Sequence, residues 1–348
     1  MFAKKLFEWH AQHGRNLPWR AANNPYSIWV SEIILQQTRV AQGMAYYHQF
    51  LQTFPTVQSL ASAPLDNVLK VWQGLGYYTR ARNMHLAAQQ IVQQYKGVFP
   101  STYNDLRTLR GVGHYTACAI ASFAFGLPLP AIDGNAYRIF TRIFGIATPI
   151  DTPDGQKEIR ALAQKLMDAQ QPARFNQAVM DFGATHCTPQ NPQCQQCPFA
   201  RECYAWGHQN VAQFPVKSKQ IKIRNRYFSY LIIRHKRTSF VQQRTQHDIW
   251  HSLYEFPLIE TPRACSLKKL QQTNEWLQLV DNQQVAITPL PPIKHILTHQ
   301  VLWIKFYIID IPRVGEYLKN NTLPVSISKI VQYPMPQPLC KLLNDNKL

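Results

Sequence analysis

Cys187, Cys194, Cys197 and Cys203 stand in the pattern C-x6-C-x2-C-x5-C, and nothing else in this sequence restricts its folding so tightly. Thiolates that close in the chain reach one centre only if the loops between them are compact, and Pro189, Pro192 and Pro198 help to fold those loops. Thiolate donors select zinc or an iron–sulfur cluster. A structural zinc site usually shows paired C-x2-C knuckles, whereas here one such pair is flanked by longer, unequal gaps. The spacing favours [4Fe–4S] and leaves zinc as the alternative. The start, MFAKKLFEWH, lacks the continuous apolar segment of a secretory signal. Clustered cysteines in a chain of intracellular character point to metal binding, not disulfides. Cys118, Cys265 and Cys340 are scattered and are expected to be buried small hydrophobes.

The 348 residues suffice for two ordinary domains. Up to about residue 216 the pattern is mostly helical. Thr152 caps and Pro153 opens a helix reaching Asp168, with Ile159, Leu162, Ala163, Leu166 and Met167 on one face. Ala136, Ile139, Phe140, Ile143 and Phe144 repeat that spacing, with Arg138 and Arg142 on another face. Beyond, Tyr227–Arg234, Ser239–Gln243 and Leu302–Ile309 are rich in β-branched and aromatic residues and predict strands. The expected division is a helical domain over 1–216, a basic linker over 217–225 and an α+β domain over 226–348. No run of about 18 apolar residues predicts a membrane span. Lys and Arg total 37 against 19 Asp and Glu, a formal +18; this suits a nucleic-acid binder, or a basic surface without a special partner.

Leu109-Arg110-Gly111-Val112-Gly113-His114-Tyr115-Thr116-Ala117 lies between two helical stretches. Its glycines permit a tight turn and leave N–H groups uncovered beside a helix N-terminus, which suits a phosphate; a plain connection between helices is the alternative. Two carboxylates have contrasting surroundings. Glu32, in Ile28-Trp29-Val30-Ser31-Glu32-Ile33-Ile34-Leu35, has bulky apolar neighbours that would raise its pKa and let it donate a proton, unless it simply faces solvent. Asp133, in Ala131-Ile132-Asp133-Gly134-Asn135, precedes a helix as an N-cap, where amide hydrogen bonds and the helix dipole hold it ionised. An acid beside an anion suits protonation of a leaving group with stabilisation of a cation that develops opposite it.

The cysteine pattern, following this glycine-punctuated hairpin, resembles the endonuclease III-like, helix–hairpin–helix superfamily of base-excision glycosylases over residues 1–210. That superfamily implies a mainly α fold with a [4Fe–4S] loop held by Cys187, Cys194, Cys197 and Cys203, structural and DNA-positioning in role. Gly111 and Gly113 would hold DNA; Arg110 departs from the proline usual in the family. Bifunctional members carry a lysine two residues after the second glycine, where this chain has Tyr115, and a phenol cannot form an imine. The resemblance therefore implies a monofunctional enzyme.

The W-V-S-E-I-x-L-Q-Q-T context from Trp29 to Thr38 is similar to the MutY-type adenine glycosylases. By that resemblance Glu32 protonates adenine and later assists water, Asp133 stabilises the sugar cation, and Tyr115 and Asn135 support them. Leu17, Trp19, Arg20, Leu35 and Val40 would surround the base with Gln177 at its edge, although Leu17, Leu35 and Val40 also read as core. Because the base must leave the duplex, something must fill its place. Gln37, and Tyr77 in Gly74-Leu75-Gly76-Tyr77-Tyr78, match the inserting positions.

Residues 226–345 look like a Nudix-like domain, with Tyr254-Glu255-Phe256-Pro257 resembling its W-E-F-P segment. Leu258–Asn282 contains only Glu260 and Glu275, too few for the glutamate box of a working pyrophosphohydrolase. Leu297-Thr298-His299 stands where the family reads 8-oxoguanine with Phe-Ser-His, so Thr298 and His299 are expected to read the lesion. Taken together, the resemblance implies a monomeric cytoplasmic enzyme, nucleoid-associated in a bacterium, acting on duplex DNA with A:8-oxoG or A:G mispairs and needing no membrane. A thymine or uracil mismatch glycosylase of the superfamily, or a non-catalytic iron–sulfur DNA binder, are the alternatives.

Overall fold

The computed structural model describes residues 1–21, 24–218 and 223–345. They divide into two compact units: Met1–Ser62 with Asn83–Gln220, and Ala63–Arg82 with Ile221–Leu348. The chain thus leaves its first unit for twenty residues, a detour that no local pattern announces. Of the linker expected over 217–225, residues 219–222 lie outside the described residues, and its last two already belong to a strand.

The first unit is helical. Helix Pro25–Ile34 starts with a proline, where a missing N–H costs nothing, and the Asn24 side chain accepts from Tyr26 N–H at 2.9 Å. From Tyr26 to Ile34 every residue is buried, the polar Ser27, Ser31 and Glu32 included. It packs on helix His114–Phe125. The two helices read from the sequence are present as Gly134–Phe144 and Pro153–Leu166, capped by Asp133 and Thr152. Helix Pro172–Thr185 packs against Gly134–Phe144 and Phe2–His13. Leu6, Phe140, Ile159, Phe175, Phe182 and Phe199 form the core between them. Each such side chain stabilises the fold by about 1.5–3 kcal/mol through its burial.

The second unit is built on a seven-stranded sheet: β1 (Arg224–His235), β2 (Thr238–Gln243), β3 (Tyr254–Glu255), β4 (Leu258–Thr261), β5 (Ala286–Ile296), β6 (Gln300–Asp310) and β7 (Leu323–Ser326). The three predicted strands correspond to β1, β2 and β6. The order is β3-β2-β1-β6-β5, with β4 also paired to β1 and β7 to β2. β1 and β6 run parallel, Tyr227 beside Trp303 and Ile232 beside Ile308. Both faces of this central pair are covered, which is why their sequences are nearly continuous in apolar residues. β5 and β6 form a hairpin closed by the Leu297 N–H donating to the Gln300 carbonyl at 2.8 Å, so Thr298 and His299 occupy its exposed tip. Leu297 itself packs on the core.

Residues 63–82 join this unit through specific bonds. Tyr254 hydroxyl donates to Asp66 at 3.1 Å, and Met335 N–H to Gln73 Oε1 at 3.1 Å. Lys70 Nζ reaches the Val331 carbonyl, and the Tyr77 hydroxyl meets that of Thr298. No helix among the described residues is long and apolar enough to cross a membrane.

Candidate active site

A cavity of about 520 Å³ opens in the helical unit. That volume is within the usual range for a small-molecule site. Its wall gathers residues from five separate stretches. Leu17, Trp19 and Arg20 come from helix Pro18–Ala21 and the residue before it; Glu32, Leu35, Gln37 and Val40 come from the end of helix Pro25–Ile34 and beyond. Tyr115 projects from the first turn of helix His114–Phe125, Asp133 and Asn135 from the start of Gly134–Phe144, and Gln177 from Pro172–Thr185. These eleven sequence-derived candidates therefore share one cavity. Gly111, Gly113, Tyr77, Thr298 and His299 are not part of its wall.

Glu32 is 7% exposed and accepts a 2.8 Å hydrogen bond from the Tyr115 hydroxyl on Oε2. Burial pushes its carboxyl up to about 7; the Tyr115 bond opposes this, Asp133 adds to it, and Arg20 draws it back. Burial, with Glu32 and Asp133 nearby, also pushes the Tyr115 phenol far up, so it remains a donor. Asp133 is the N-cap that its sequence position predicts, accepting from Ala136 N–H at 2.8 Å and from Asn135 Nδ2 at 2.7 Å. Its carboxyl is also displaced upward, because burial outweighs those two bonds and the Arg138 charge. The capping bonds limit the effect of burial without abolishing it.

In the hairpin, Gly111 has φ +76°, and a Cβ there would lie 2.6 Å from that of Asn83. Only glycine fits. Gly113 differs: its φ is −79° and an added Cβ would meet nothing nearer than Arg107 Nη1 at 4.0 Å. The turn needs one glycine, not two. Gly113 gives the following helix no side-chain cap, so no cap side chain takes up the N–H groups of its first turn. Arg110, at the position of the proline usual in the family it resembles, uses its backbone N–H to donate to Gln90 Oε1 at 2.7 Å, a bond proline could not make. Gln37 and Tyr77 both hold left-handed backbone, φ +60° and +51°, uncommon for residues with side chains; Tyr77 is 48% exposed.

The four clustered cysteines line a second, apolar cavity with Arg142, Phe182, His186 and Trp206. None of the four is in a disulfide. Burial, then their closeness to one another, pushes Cys194, Cys197 and Cys203 up. Two arginines that sequence reading placed only on a helix face hold this loop. Arg142 Nη1 donates to the Thr188 carbonyl at 2.7 Å and reaches Cys187 Sγ at 3.5 Å. Arg138 Nε donates to the Cys187 carbonyl at 2.7 Å and Nη2 to Asn135 Oδ1 at 2.8 Å, tying the loop to the cavity wall. Of the scattered cysteines, Cys118 is buried as expected, whereas Cys265 and Cys340 are only partly so. Asp181, which carries no sequence signal, is fully buried and bonded to Arg15 and Arg20.

Residues 30–182 match the HhH-GPD superfamily of base excision DNA repair proteins, and residues 229–345 match the NUDIX domain. Among solved structures, a thermostable thymine-DNA glycosylase aligns with a TM-score of 0.56 and 26% identity, covering 60% of this chain and 95% of that one. Endonuclease III in a non-covalent DNA complex shares the fold (TM-score 0.53, 22% identity, 60% and 94% covered). The adenine DNA glycosylase of Buchnera aphidicola subsp. Acyrthosiphon pisum is 30% identical over 100% of this chain and 98% of its own. That of Buchnera aphidicola subsp. Baizongia pistaciae is 33% identical over 100% and 97%, and the human one 43% over 59% and 39%. A match at this identity, running nearly end to end in both chains, places this protein in the adenine DNA glycosylase family of base excision repair enzymes.

Proposed function

We propose that this protein removes adenine mispaired with 8-oxoguanine or guanine in duplex DNA, by hydrolysing the N-glycosidic bond without cutting the strand. The observation that carries the reading is one cavity holding a buried carboxyl poised near neutrality, a second carboxylate at a helix N-terminus, and a phenol where strand-cleaving relatives would need an amine. Glu32 gives its proton to N7 of the extruded adenine. The C1′–N9 bond then breaks and its electron pair leaves with the base. Asp133, fixed by Ala136 and Asn135, supplies negative charge to the sugar cation. Water adds to C1′ and passes its proton to the Glu32 carboxylate.

Leu17, Trp19, Arg20, Leu35, Val40 and Gln177 enclose the base on this reading, while Gln37 and Tyr77 enter the duplex. Their left-handed backbone supports that role, since such strain concentrates where a side chain must be aimed. The helix N-terminus after Gly113, which has no side-chain cap, binds phosphate on this reading. Thr298 and His299, exposed on the β5–β6 tip, read the oxidised guanine. The protein works as a cytoplasmic monomer on this reading. The side chains of Cys187, Cys194, Cys197 and Cys203 suit a [4Fe–4S] cluster: they line one apolar cavity, and their spacing lacks the paired knuckles usual at a structural zinc site. Bound there, the cluster supplies a rigid scaffold for the loop.

Base release measured across A:8-oxoG, A:G, T:G and U:G duplexes tests the substrate. Adenine release in the first two is the expected result, and thymine or uracil release alone would overturn it. Purified protein should be brown, with broad visible absorbance; a colourless zinc protein would overturn the cluster assignment.

A further inference from the structure

Asp181, in helix Pro172–Thr185, is fully buried (0% exposed), and the chemistry above gives it no part. Arg20 grips it end-on, Nη1 to Oδ2 and Nη2 to Oδ1, both at 2.7 Å. Arg15 donates its Nε to Oδ1 at 2.6 Å and its backbone N–H to Oδ2 at 2.9 Å, and His10 Nε2 lies 3.2 Å from Oδ2. Arg20 Nη1 also donates to the Arg15 carbonyl at 2.9 Å. Burial alone would push the Asp181 carboxyl up, but the bonds from Arg20, His10 and Arg15 outweigh it and hold the group far below the usual carboxylate range. It is therefore an anion throughout the working pH range. A planar, bidentate pair of this kind fixes orientation as well as charge, which a lysine could not do.

Arg15 and Arg20 both line the cavity that contains Glu32, where Asp133 and Tyr115 also face that carboxyl and Arg39 stands on the wall. We propose that Asp181 is a positioning residue for excision: it locks the Arg20 guanidinium against the cavity, so that the positive charge bears on Glu32 and the base is framed in one orientation. The proposal rests on the reading of Glu32 as the proton donor. Without Asp181 the Arg20 guanidinium keeps only its single bond to the Arg15 carbonyl, can swing away from Glu32, and leaves the proton held to higher pH.

Single-turnover release from an A:8-oxoG duplex, followed across pH with melting temperatures alongside, tests this for wild type, Glu32→Gln, Arg20→Ala, Arg20→Lys, Asp181→Asn and the Arg20→Ala/Asp181→Asn double variant. Asp181→Asn and Arg20→Ala should each slow release by about tenfold or more. Each should also move the alkaline fall in rate upward by about half a pH unit, the sign expected when a positive neighbour is lost. The double variant should be no slower than the slower single one, because both act through one contact. Arg20→Lys, keeping charge but not the grip, should slow release with the smaller pH displacement. A folded Asp181→Asn with unchanged rate and midpoint overturns the proposal, as does Arg20→Ala with an unchanged midpoint if Asp181→Asn does not fold. Glu32→Gln releasing base at the wild-type rate would overturn the underlying reading; an inactive Glu32→Gln beside undisplaced Arg20 and Asp181 variants removes only the role of Asp181.

Discussion

Ionising Glu32 inside the cavity gives up water for little more than the Tyr115 hydroxyl, and the cost appears in both catalysis and stability. Its carboxyl titrates at about 7 when folded against 4.5 as a free side chain. The folded state therefore binds a proton that the unfolded chain has released, and stability falls as pH rises between those values. The difference corresponds to about 3 kcal/mol. Glu32→Gln should be as stable as wild type near the acid end of that window and more stable by up to about 3 kcal/mol on its alkaline side, measured by denaturant titration. Equal stability at both ends would show that the carboxyl is hydrated. The same variant should slow adenine release by about 10²–10⁴-fold, the usual contribution of a positioned acid. With Glu32 as the proposed proton donor, wild-type release should decline as pH rises through about 7, where its carboxyl loses the proton.

The hairpin and the β5–β6 tip make their own predictions as elements. Gly111→Ala forces a side chain into positive φ and against Asn83, and should cost about 1–3 kcal/mol in a melting experiment. Gly113→Ala has neither problem, so its melting temperature should stay near that of wild type while duplex affinity drops. Equal loss of stability in the two would refute the division of labour between turn and phosphate cradle. At the tip, Thr298→Val keeps the shape and removes the hydroxyl that meets Tyr77. The affinity ratio for A:8-oxoG over A:G duplexes should fall by about fivefold to tenfold, the worth of one hydrogen bond. An unchanged ratio would place recognition elsewhere on the strand pair.

At the level of the whole molecule, charge and chain path matter most. A formal +18 over 348 residues predicts that duplex affinity falls steeply and linearly on logarithmic axes as salt increases. A flat response would mean that the surplus cations are not the DNA footprint. Residues 63–82 leave the helical sequence around them and pack with the sheet unit, so a wedge candidate, Tyr77, and a recognition candidate, Thr298, belong to the same compact unit although 221 residues separate them. Arg138 likewise spans the cysteine loop and Asn135, joining the cysteine cavity to the wall of the cavity that holds Glu32.

What the sequence determined by itself was chiefly local. Caps at Asp133 and Thr152, helical periodicity, β-branched runs and cysteine spacing are set by neighbours within a few residues, and all are readable without coordinates. The apolar flank of Glu32 foretold its burial for the same reason. Asp181 was invisible because its partners, Arg20, Arg15 and His10, lie 161 to 171 residues away and nothing in its own helix marks it. Both hairpin glycines suit a tight turn by sequence, but only Gly111 holds positive φ, whereas Gly113 lies at −79°. Backbone angles, long-range ion pairs and the assignment of 63–82 to one unit or the other depend on which surfaces meet when the chain closes, and only tertiary packing decides that.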